Sequence, residues 1–455
     1  MKRRAQAALL LLLSLTGAIF LIFPGGPGAL IITAVFSVLC VFVFRKFADD
    51  KDFVTLIFLG ALFVRLAFGL FVHAYDLRDF FGGDANTYDS LGSELLLRWT
   101  NSVRIPNPGV DWRLNNPGAG WGMFDLVAAI YYVVGPNILA AQSFCAVFGA
   151  AIAPMTYFCA QKVYNNNRVA QASALLTAFF PAFIIWSGQL LKDGLIVFLL
   201  VLVMTMLIQL QKKFSYGALI TLFLAIAGIM PLRFYIFYMI AIAIVGSFVI
   251  AYSNSAKNLA RNAAILLVIA LGLTYIGVIK NAGSAFEVYG SLAQVQNSRS
   301  DLASVNSGFG GDIDVSSTTG AISAIPIGLT YLMLAPFPWE ATNLRSALPM
   351  PEVAIWWLML PVIVYGIAWT VRNRLRQAFP ILLFALTLTL AYSVFQGNVG
   401  TAYRQRTQIQ VFLFMFGAVG WTVHKEKREN DQIVREARRR ALQAKIRPGA
   451  QAIRT

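Results

Sequence analysis

The sequence predicts an all-α, polytopic membrane protein with about twelve transmembrane helices, and three observations carry that prediction. Of its 455 residues, 58% are hydrophobic and only 13% are charged, where an ordinary soluble protein is about 25% charged. Apolar runs of 16 to 24 residues recur along the chain, most of them long enough to cross a hydrocarbon core of about 30 Å at about 1.5 Å per helical residue. Lys and Arg concentrate in alternate connections between the runs, as cytoplasmic loops require.

The runs fall at 7–23, 29–44, 53–73, 137–160, 168–186, 194–210, 215–231, 235–252, 262–279, 351–371, 378–395 and 408–423. Starting inside with Lys2, Arg3 and Arg4, this map puts 25 of the 37 Lys and Arg on the side of both termini, 11 on the other, and Arg65 within a span. The acids run the other way, with 14 of 21 outside. The net charge of +16 is therefore mainly a topology signal, and nucleic acid is not an expected partner.

Residues 1–52 form a two-helix membrane anchor. Their basic start and apolar core look like a signal peptide, but FPGGP follows in place of a small-residue cleavage site, so the segment stays uncleaved. Residues 53–279 form the membrane core, interrupted by an outer loop at 74–136. There SELLLRW reads as a short interfacial helix. Trp121 to Val134, only 14 residues long, lies along the interface, because a crossing there would move every later loop to the opposite side. Residues 280–350 stay outside. Their first half is rich in Gly, Ser, Asn and Asp without apolar periodicity and reads as a mobile loop. Their second half, IPIGLTYLMLAPFPWE, reads as a re-entrant or interfacial helix. Residues 351–423 supply the last membrane helices, and 424–455 a basic cytoplasmic tail, amphipathic or disordered, with no chemistry assigned.

Cys40, Cys145 and Cys159 lie inside apolar runs without metal-ligand spacing, and His73 and His424 sit at opposite ends of the map. A disulfide framework, a zinc site and a histidine metal cluster are thereby excluded. No cofactor is required by the sequence; whether a divalent metal joins the outer acids stays open.

The polar residues that could do chemistry gather on the outer face. FGGDANTYDS, residues 81–90, follows the run at 53–73 and places Asp84 just past a membrane exit, with Tyr88 and Asp89 close behind. Gly82 and Gly83 allow a sharp turn and close approach to a ligand. Asp84 is either a solvated loop acid or a group that takes a proton or binds a cation. Lys192 and Asp193 stand at another outer boundary, either capping a helix start or joining the same site. Arg233 follows among aromatic residues, and Glu340 follows Trp339 at the end of the re-entrant segment. Arg404 and Arg406, behind the glycine-rich turn of FQGNVGTAYRQRTQ, suit a phosphate or diphosphate, or else lipid headgroups. Arg65 is costly inside a bilayer; it faces a cavity, pairs with an acid or snorkels outward. A carboxylate with fixed cations at the bilayer edge suits a reaction on a lipid-linked phosphate, the acid handling an acceptor hydroxyl and the cations the departing phosphate.

The arginine-bearing run, the outer GDANTY, NPGAGWGMFDLVAAIYYVVGPN, the stretch QSFCAVFGAAIAPMTYFCAQKVYNNNRVAQASALLTAFFPAFIIWSGQLLKD and the closing GNVGTAYRQRTQIQVFLF together resemble GT-C membrane glycosyltransferases. The likeness is to bacterial relatives of the family 39 protein mannosyltransferases, over about residues 53–210 and 390–420. It implies a GT-C-like fold and a catalytic acid at Asp84. It also implies a polyprenyl-phosphate-linked sugar as donor, and a glycan, lipid or protein acceptor. The expected place is the outer face of a bacterial inner membrane, in cell-envelope or exopolysaccharide assembly, with membrane lipids as the remaining partners. Many such proteins carry Asp-Glu at this position; here Ala85 follows, so a second acid would come from Asp89 or Asp193. A polymerase or ligase of lipid-linked repeat units is the competing enzyme reading. A flippase is a third, against which stands the lack of an internal repeat.

Overall fold

The computed structural model describes residues 2–102, 106–115, 121–250, 256–275, 277–304 and 307–446. The described residues form helices and one isolated bridge, Gly308 to Asn398. Three helices open the chain: α1 (Lys2–Phe20), α2 (Gly26–Phe47) and α3 (Lys51–Ala74). Asp50 caps α3 by accepting a bond from the Phe53 amide at 3.0 Å. The outer loop then carries α4 (Asp84–Trp99), α5 (Pro108–Asn115) and α6 (Gly122–Val134). SELLLRW is thus the second half of a longer helix that begins at Asp84. The centre of the molecule is α7 (Ile138–Tyr164), an alanine-rich helix whose small side chains let its neighbours approach closely.

After α7 come α8 (Asn167–Phe179) and α9 (Pro181–Ser187), which correspond to the apolar run at 168–186 but bend by 55° between them. Proline causes the break. Pro181 has no N–H for the Thr177 carbonyl, and Phe180 is extended at φ −69°, ψ 128°. Arg65, fully buried, supplies what the backbone lacks. It donates to the carbonyls of Thr177 (3.2 Å), Ala178 (2.9 Å) and Ala61 (3.0 Å) and to the Ser187 hydroxyl (2.8 Å). Its partner is the negative end of a broken helix, with no acid among the described residues paired to it.

The chain continues through α10 (Asp193–Lys212), α11 (Tyr216–Leu232), α12 (Ile236–Ile250), α13 (Ala256–Tyr275) and α14 (Val278–Tyr289). Here one expectation is corrected. The stretch read as a structureless mobile loop holds α14 and α15 (Leu292–Ala303), and residues 307–309 pair with 397–399. Then α16 (Thr318–Leu334), a 3-10 turn at Pro338–Glu340 and α17 (Leu344–Ala347) lead to α18 (Met350–Phe395) and α19 (Val399–Ile446). α18 is two helices merged across a kink at Arg374, φ −138°, inside the expected basic connection. α19 runs on to Ile446, so the tail is helical as far as it is described.

As far as they are described, the twelve apolar runs fall on helices or bent helix pairs. Among the described residues five helices are long and apolar enough to cross a membrane, or seven if each bent pair counts as one span. The rest are shorter apolar helices. The protein is an all-α polytopic membrane protein.

The helix ends segregate. At one end Arg168 pairs with Glu429 at 2.7 Å, Asn166 with Glu426 at 3.2 Å, and Lys162 with Gln209 at 2.5 Å. Asp84, Lys192, Asp193, Arg233 and Arg404 meet at the other. A hollow of about 650 Å³ opens at the first end, lined by Arg45, Asp52, Tyr157 and Asn167 among others, well away from the acids described next.

Candidate active site

The site begins with two glycines. Gly82 (φ +128°) and Gly83 (φ +69°) hold backbone conformations that cost an L-residue about 1–2 kcal/mol. They turn the chain so that Asp84 becomes the first residue of α4, where the helix dipole favours a carboxylate. The loop behind it is fixed. Phe81 packs edge-on against Phe68 at 5.5 Å, and Asp79 accepts a bond from Asn86 at 2.9 Å. The Asp84 side chain keeps 46% of its surface exposed, so it can be reached.

Arg404 joins what the sequence keeps far apart. Its Nη1 donates to Asp84 Oδ2 at 2.5 Å and its Nε to Asp193 Oδ2 at 2.5 Å, while its guanidinium lies 5.7 Å from the Trp186 ring. Asp193, 1% exposed, also accepts from Arg233 Nη2 at 3.4 Å. A buried carboxylate needs this company, since taking an unpaired charge out of water costs several kcal/mol. The result is a run of alternating charge: Asp84, Arg404, Asp193, Arg233.

Lys192 stands beside it with no ion pair or hydrogen bond among the described residues. Burial, with the positive charges of Arg233 and Arg404, pushes its ammonium down to about 8 against the pull of Asp193. The five groups carry one net positive charge. Tyr88, one turn after Asp84, is 7% exposed, and burial pushes its phenol up. Directly behind Asp193 is a void of only about 10 Å³, bordered by Trp186, Ser187 and Thr407, so the acid is backed by packed protein.

Other expected site residues lie elsewhere. Arg406 is two residues from Arg404, about 200° around the helix, and turns away from Asp84. It is fully buried between Tyr403 (5.1 Å) and Trp356 (5.6 Å) and donates to the carbonyls of Met333 (3.2 Å) and Ala335 (2.9 Å) at the end of α16. Asp89 faces α6, where the Tyr131 hydroxyl donates to it. Glu340 is exposed and accepts from Tyr331 at 2.8 Å. Two neighbours of the site were not anticipated. Trp186 lies over Arg404, and Arg345 of α17 reaches to 3.6 Å from where a Cβ on Gly82 would stand. The IIWSG stretch next to LLKDG was the available signal for Trp186; nothing local marks Arg345. Among the described residues no group of three or more His, Cys, Asp or Glu forms a metal-ligand set.

Residues 121–278 match the family model described as dolichyl-phosphate-mannose-protein mannosyltransferase. No curated protein matches the chain. The matched stretch runs from α6 to α14 and includes Trp186, Lys192, Asp193 and Arg233, while Asp84 and Arg404 reach the network from outside it. The match covers about a third of the chain; over that stretch the protein is similar to a GT-C family 39-like domain, which supports a membrane glycosyltransferase of the GT-C kind.

Proposed function

We propose that the protein moves a sugar from a polyprenyl-phosphate-linked donor to an acceptor hydroxyl on the extracytoplasmic face of its membrane, in glycan assembly, with inversion at the anomeric carbon. The observation that carries this reading is the single guanidinium of Arg404 shared between a reachable acid, Asp84, and a buried one, Asp193, beside an unpaired ammonium at Lys192.

Asp193 and Trp186 hold Arg404 in place, so one face of the guanidinium stays directed at the open side. A donor phosphate entering there meets Arg404 and Lys192 and competes with Asp84 for the guanidinium. Asp84, released, accepts the proton of the acceptor hydroxyl as its oxygen bonds to the anomeric carbon. The bond from that carbon to the phosphate oxygen breaks. Its electron pair leaves with the polyprenyl phosphate, whose growing charge Arg404 and Lys192 offset. The family match supports sugar transfer, and the basic excess of the opposite helix ends supports the extracytoplasmic placement.

Asp84→Asn tests the role of the acid. Transfer from a polyprenyl-phosphate sugar should fall about 10²–10⁴-fold at normal protein levels. Full activity would remove Asp84 from the mechanism.

A further inference from the structure

We infer that Arg299, in the outer segment that the reaction does not touch, is a positioning residue for the phosphate site and acts through Arg404. This rests on the reading of Arg404 as a phosphate group holder.

Arg299 is 1% exposed although it lies in a polar, extramembrane stretch. Its Nη1 donates to the carbonyls of Val394 (3.0 Å) and Gln396 (2.5 Å), its Nη2 to that of Gly310 (3.4 Å), and its guanidinium lies 5.7 Å from the Phe309 ring. Val394 and Gln396 end α18, where carbonyls lack helical partners and the dipole is negative. A fixed cation belongs there. The next residues launch α19, which carries Arg404 in its second turn.

Further contacts make the same junction. Phe309 N bonds Gly397 O at 2.7 Å, and Val399 N bonds Ser307 O at 2.9 Å. Asn398 caps α19 by accepting from Thr401 N at 3.0 Å, while its amide donates to Ser307 at 2.8 Å. The side-chain amide of Gln396, whose backbone carbonyl Arg299 holds, donates to Gln405 at 2.5 Å, one residue from Arg404. Gly397 permits the approach, since a Cβ there would stand 2.7 Å from the Arg299 carbonyl oxygen. The outer segment thus clamps the α18–α19 turn at both of its helix ends. Loosening it moves the Arg404 backbone, and a displacement of about 1 Å at a charged site costs up to about a hundredfold.

The test is a double-mutant cycle on the full-length protein in detergent micelles, with a polyprenyl monophosphate as probe. Arg404→Ala and Arg299→Met should each weaken binding about tenfold or more. Arg299→Lys, which still donates to the carbonyls, should recover most of the loss. The Arg299→Met/Arg404→Ala double variant should bind no more weakly than Arg404→Ala alone. Arg299→Met lowers the unfolding midpoint on either account, because it leaves carbonyls bare; a merely structural Arg299 would give losses that multiply in the double variant, which overturns the inference. Wild-type binding by Arg299→Met alongside a weakened Arg404→Ala also overturns it, while leaving the phosphate reading intact. Wild-type binding by Arg404→Ala removes the phosphate reading and this inference together. If Arg299→Met does not accumulate, Gly397→Ala loosens the same turn from its other side and takes its place in the cycle.

Discussion

The two faces of α19 put the same side chain to different use. On one face Arg404 bridges Asp84 and Asp193, with Trp186 beside it. On the other, Arg406 lies between aromatic rings and caps the carbonyl end of α16. Arg65 and Arg299 resemble Arg406, since both donate to carbonyls at helix ends. Each carbonyl-capping arginine makes its hydrogen bonds to carbonyls and, for Arg65, the Ser187 hydroxyl, and makes no ion pair with a carboxylate among the described residues. An acid-paired arginine beside a half-exposed carboxylate can exchange that carboxylate for a phosphate. On the proposed reading, the surroundings of an arginine, more than its burial, separate a phosphate holder from a scaffold.

The sharpest way to break the comparison is to remove each arginine. Arg404→Ala should lower kcat/KM about 10²–10³-fold, the usual loss for one oriented donor at a site of developing charge. It should also destabilise the fold, because Asp193 keeps only its longer contact with Arg233. Arg406→Met and Arg65→Met should instead cost about 1–3 kcal/mol per carbonyl left bare, read as a lower unfolding midpoint, with transfer per folded molecule little changed. An equal loss of transfer in all three would erase the distinction.

Lys192 sharpens it through pH. Its ammonium sits at about 8, below the ordinary lysine range, so the charge is present at lower pH and lost as pH rises through about 8. The phosphate reading then predicts that kcat/KM, which reports the free enzyme, falls above pH 8. Lys192→Arg should carry the fall to higher pH. The smallest effect belongs to Gly83→Ala. With φ at +69° the added Cβ should cost about 1–2 kcal/mol, measured by unfolding, and a proportionate loss of transfer through a shifted Asp84.

Much of this was legible in the chain. Apolar runs located the helices, since length and hydropathy are set locally. Loop charge brought Asp84, Lys192, Asp193, Arg233 and Arg404 to one end without any knowledge of packing. Three things were hidden because distant partners decide them. Residues 291–304 lack a periodic apolar face, and they are held through Arg299 against the turn at Gly397, about a hundred positions away in sequence. The bend at Pro181 was visible as a proline, but its tolerance depends on Arg65. The divergence of Arg404 from Arg406 follows from 100° per helical residue, once the stretch is known to be helical from Val399 onward.

The central claim, that Asp84 meets Arg404 and not Arg406, is open to direct measurement by thiol cross-linking in membranes. Cys40, Cys145 and Cys159 are buried and unpaired, and would first be replaced by alanine. With cysteines at 84 and 404, a short bifunctional thiol reagent should link the pair rapidly, and with cysteines at 84 and 406 it should not. Equal rates for the two pairs, or a faster reaction at 406, would contradict the account.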